Sequence, residues 1–166
     1  MTTLVFVLVI AVSLLALQTT SFGFLVPSQY KPDLLIAFVV WVTFRLETSP
    51  GLCAAFIIGL FVDVLSGSPL GLFAILYSLV LIVCRQLNAT FHIDGYVGRG
   101  AMVGGSVLVI GIVILISRYI TGLSSFSWNS IIWIFGKSAI SGIIGILVMA
   151  IVDSLYEGLL RMVNPQ

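Results

Sequence analysis

Residues 51–71 read GLCAAFIIGLFVDVLSGSPLG. As far as Leu65 the stretch is apolar, and Gly51, Ala55, Gly59 and Asp63 recur at four-residue steps, the spacing that stacks positions on one face of a helix. Ser66-Gly67-Ser68-Pro69 then interrupts the run. Gly favours a helix end, Ser caps the next helix, and Pro loses no hydrogen bond at a first helical position. The reading is two apolar helices joined by a tight hairpin turn, with Gly71 continuing the small-residue series beyond it. In lipid, small residues at this spacing let backbones approach closely, so Gly51, Ala55 and Gly59 are expected to form a packing face.

Composition extends that reading to the whole chain. Of 166 residues 60% are hydrophobic and 8% charged, against roughly 25% charged in a soluble domain. Seven Lys plus Arg and six Asp plus Glu cannot cover a water-facing surface of this length. Disordered chains are poor in apolar residues and rich in charge, so disorder is excluded as well. With a net charge of +1 and no basic cluster, nothing points to nucleic acid. The surrounding solvent is membrane lipid, and the fold class is an all-α polytopic membrane protein of about six transmembrane helices.

The spans are expected at about 4–25, 34–44, 50–65, 69–84, 101–117 and 131–152, forming a single membrane domain over 1–166 with an amphipathic extension at 153–162. Continuous apolar runs are helices rather than barrel strands, which alternate. Pro32, Pro50 and Pro69 each read as a helix start. The second span is the shortest, and a five-span alternative lays it along the membrane surface. The N-terminus lacks the basic region of a secretory signal, so the first run reads as a retained span. Arg45, Arg85, Arg99 and Arg161 fall on one side and Lys31 and Arg118 on the other, with Lys137 inside the sixth helix. That bias places both termini in the cytoplasm.

Few residues could carry chemistry. Cys53 and Cys84 lie in apolar runs without metal or redox spacing and read as inert. Gly136-Lys137-Ser138 lacks the upstream Gly of a phosphate-binding loop, and His92, the single histidine, has no nucleophile or second ligand to join. No catalytic residue, cofactor-binding residue or metal site is expected. Asp63 is the notable polar residue, since an acid within a span is turned toward protein, water or a counter-charge. Two readings stay open: it is wetted at the outer interface or accepts N–H bonds from the Ser66-Gly67-Ser68 turn, or it pairs with Lys137 at a similar depth. The fifth helix carries Gly100, Gly104, Gly105 and Gly111, and the sixth Ser138, Ser141, Gly142 and Gly145, all residues that permit close packing. Asp153, Glu157 and Arg161 recur at four-residue steps opposite leucines, a candidate docking face. The loop residues Phe126 and Trp128 are further candidate partner contacts.

Pro32-Asp33-Leu34-Leu35, followed by Gly59 through Gly71, resembles the MreD family of bacterial rod-shape-determining inner-membrane proteins. The specific part covers Pro32 to Tyr77. The resemblance implies a non-enzymatic component of the cell-elongation machinery in the bacterial inner membrane. It would bind MreC, support a peptidoglycan polymerase and transpeptidase, and meet MreB filaments. It also implies a bundle like the substrate-binding subunits of energy-coupling-factor vitamin transporters, which supplies the alternative of a small-molecule binding subunit. That alternative needs polar groups around an outer cavity, drawn from Asp63, Lys137, Arg118, Trp128 and Trp41.

Overall fold

The computed structural model describes residues 2–25, 32–66, 69–91, 95–120 and 128–163. They form six helices: α1 (Thr2–Leu25), α2 (Leu34–Arg45), α3 (Thr48–Ser66), α4 (Leu72–Phe91), α5 (Tyr96–Ile120) and α6 (Trp128–Val163). Four stretches are long and apolar enough to cross a membrane, and Val7–Gln18 and Leu34–Arg45 are shorter apolar helical stretches. Gly67, Ser68, His92 and Phe126 lie outside the described residues, as do the side chains of Arg118, Trp128 and Arg161.

α2 is the centre of the bundle. Every residue from Leu34 to Thr43 is buried, and α2 touches all five other helices. A helix that is apolar on every side is stable only when surrounded. The surface-lying alternative for this segment is therefore overturned, because a helix on the membrane surface leaves one face uncovered. At 12 residues α2 is about 18 Å long, so it cannot bridge a hydrocarbon core of about 30 Å and must have at least one recessed end.

Two helix pairs enclose it, and each is held close by glycine. In the α3–α4 hairpin, a Cβ added at Gly59 would lie 2.4 Å from Ala74 Cα and 2.6 Å from Phe73 O. Ala55 is fully buried on the same face, while a Cβ at Gly51 would meet only side chains, the nearest the flexible tip of Leu81 at 3.3 Å. The α5–α6 seam repeats the device: a Cβ at Gly100 would lie 2.6 Å from Ile146, and one at Gly142 would lie 3.1 Å from Gly100 O. Ser138 donates its hydroxyl to Gly104 O at 2.7 Å across this seam. Gly105, expected with the packing residues, faces outward with nothing within 4 Å of its Cβ direction. α1 rests mainly on α2 and α3.

Proline placement departs from expectation in two helices. α3 begins at Thr48, which puts Pro50 inside the first turn, where an N–H has no intrahelical partner anyway. α4 begins at Leu72, three residues after Pro69. Pro69 O accepts from Leu72 N at 3.2 Å, and Gly71 takes φ +97°, a left-handed conformation that costs glycine little. α6 continues unbroken through the expected extension as far as Val163.

Gly59→Ala should lower thermal stability in detergent by about 1–3 kcal/mol, the range for overpacking a tight contact. Gly105→Ala, directed to open space, should leave stability unchanged or slightly raised. Equal losses in the two variants, read from unfolding midpoints, would contradict the packing described.

Candidate functional site

The charged side chains inside the bundle collect at the two ends of α2. Burial explains the arrangement: a helix end enclosed by protein leaves backbone groups unpaired, and other segments must supply partners.

At the Arg45 end, Arg85 from α4 donates to Leu46 O and, at 3.1 Å, to Thr43 O, which satisfies the last carbonyls of α2. It also reaches Thr48 Oγ1 at the start of α3. Beside it, Asp153 of α6 is buried and serves several donors. Its Oδ1 accepts from Trp41 Nε1 at 2.8 Å, Arg45 Nη2 at 2.7 Å and Arg45 Nε at 3.0 Å. Its Oδ2 lies 3.8 Å from Arg99 Nη1 of α5. Glu157, one helical turn further along α6, is 3.9 Å from Arg45. The arginines also rest on rings: Arg99 sits 4.6 Å from the Phe44 centroid and Arg45 5.7 Å from that of Tyr156. Trp41 stacks on Phe38 at 5.6 Å and meets the edge of Tyr156 at 5.5 Å. One carboxylate thus joins α2, α5 and α6.

This cluster corrects two expectations. Asp153 is not part of an outward docking face; it is turned inward because two arginines and an indole N–H converge on it, while Glu157 remains exposed. Trp41 is not near Asp63 or Lys137, since its indole is fixed at the opposite end of α2.

At the other end, Asp63 Oδ2 accepts from Gly71 N at 2.9 Å and Ala74 N at 3.3 Å, while Oδ1 accepts from Phe73 N at 2.9 Å. An acid near the end of α3 therefore caps the N-terminus of α4, where unpaired N–H groups and the helix dipole favour a negative charge. Asp63 thus accepts backbone N–H bonds, but its donors are Gly71, Phe73 and Ala74 at the start of α4 rather than the expected Ser66-Gly67-Ser68 turn. The pairing with Lys137 is replaced: Lys137 Nζ lies 3.5 Å from Asp33 Oδ2. Both oxygens of Asp63 are already engaged by backbone, whereas Asp33 offers a carboxylate at the start of α2. Asp33 makes no side-chain cap of its own helix, and its backbone N–H donates to Ser141 Oγ of α6 at 3.2 Å. The buried Tyr77 turns its hydroxyl toward Asp33 and feels both acids.

Sequence reasoning missed Asp33 and Arg85. Asp33 followed Lys31-Pro32 and read as a helix boundary; Arg85 read as a topology marker. The available signal was the brevity of the second apolar run, which requires that its ends be served from elsewhere.

The model of the rod shape-determining protein MreD family matches residues 1–162. The chain belongs to this family. No curated protein and no solved structure matches it, so the likeness to vitamin-transporter subunits rests on the family resemblance alone. MreD membership points to a role in rod shape determination, and the apolar helices fit a transmembrane protein.

The two acids separate in a double-mutant cycle. Losses from Asp33→Asn and Lys137→Met should be non-additive, while those from Asp63→Asn and Lys137→Met should add to within about 0.5 kcal/mol. Thermal unfolding of the purified variants measures both. At the other end, Asp153→Asn should destabilise by about 1.5–3 kcal/mol, the range for hydrogen bonds to charged groups.

Proposed function

We propose that the chain is a non-enzymatic scaffold of the bacterial cell-elongation machinery. In this reading it lies in the inner membrane, binds MreC and supports the peptidoglycan polymerase and transpeptidase, with MreB filaments on the cytoplasmic side. The observation that carries the proposal is the MreD family match over residues 1–162.

The geometry is in keeping with it. Asp63, Asp153, Arg45, Arg85 and Lys137 all have structural partners that hold helix ends together. A catalytic group must instead be poised near a reacting atom with a base or acid in reach. The gathering of Arg45, Arg85 and Arg99 at one end of α2 supports a cytoplasmic location for that end, and with it cytoplasmic termini. Contacts with partners would then fall on the lipid-facing helix surfaces, on Glu157 and, as sequence candidates, on Phe126, Trp128 and Arg161.

The vitamin-type alternative has less support. The cavity lined by Asp33 and Lys137 has a volume of about 80 Å³. Pockets for drug-sized ligands run from about 300 to 1,000 Å³.

Purification of the tagged protein in mild detergent from its native host, followed by mass spectrometry, tests the scaffold. Co-recovery of MreC with the polymerase and transpeptidase is the expected result. An ATPase pair with a membrane coupling subunit in their place would make the chain a transporter's binding subunit. A photoreactive residue at Glu157 or Phe91, both exposed near the Arg45 end, should crosslink to cytoplasmic partners, whereas one at Leu70, exposed at the other end, should not.

A further inference from the structure

We draw no further inference here: the strongest candidate, the apolar cavity of about 110 Å³ between α1 and α3 lined by Leu8, Ala11, Val12, Ile58, Phe61 and Leu65, is an unpartnered apolar surface, and nothing in the structure shows what covers it.

Discussion

The structure depends on enclosing a helix too short to span the membrane. α2 supplies the fully buried Phe38, Val39, Val40 and Val42 at the bundle centre, and its flanks contact every other helix. Lipid could have covered such an apolar surface equally well. What lipid cannot do is satisfy the polar ends of the helix, and that requirement fixes the positions of its neighbours. Arg85 holds the final carbonyls, Ser141 receives the Asp33 N–H, and Asp153 gathers the side chains that project from the last turn.

The enclosing helices solve a different problem, that of approach distance. Gly59 lets α3 lie against the backbone of α4 at a spacing that a methyl group would forbid, and Asp63 one turn later caps that same helix. The two features reinforce each other, because the carboxylate reaches the N–H groups of Phe73 and Ala74 only when the helices are this close. The α5–α6 seam reaches a similar closeness through Gly100 and Gly142, with the Ser138 hydroxyl as its added polar link. In the α5–α6 seam the glycine hollows also receive large side chains, Ile146 at Gly100 and Ile134 at Gly111.

Much of this was legible in the sequence. Continuous apolar runs gave the helices, and the four-residue series through Gly59 gave a real packing face, because small size has the same consequence in any helical context. Asp63 was legible as a residue with a partner, though its donors lie at the start of α4 rather than in the turn beside it. Its exclusion of Lys137 was not legible, since which of two acids reaches a cation depends on how helices far apart in sequence rotate against one another. Asp33 and Lys137 are separated by 104 residues. The inward turn of Asp153 was hidden for the same reason: its four-residue spacing with Glu157 describes a helix face without saying which neighbour covers it.

Both polar clusters are completed by α6. Arg45 and Arg99 precede Asp153 in the chain, and Asp33 precedes Lys137, so during synthesis each earlier charge exists before its counter-charge does. An uncompensated charge at the centre of a span costs about 2.5–3.5 kcal/mol on insertion scales, enough to hold it near water until a partner arrives. The sixth helix is thus the last part of the chain needed to neutralise both ends of α2, because Asp153 and Lys137 are carried on that one helix.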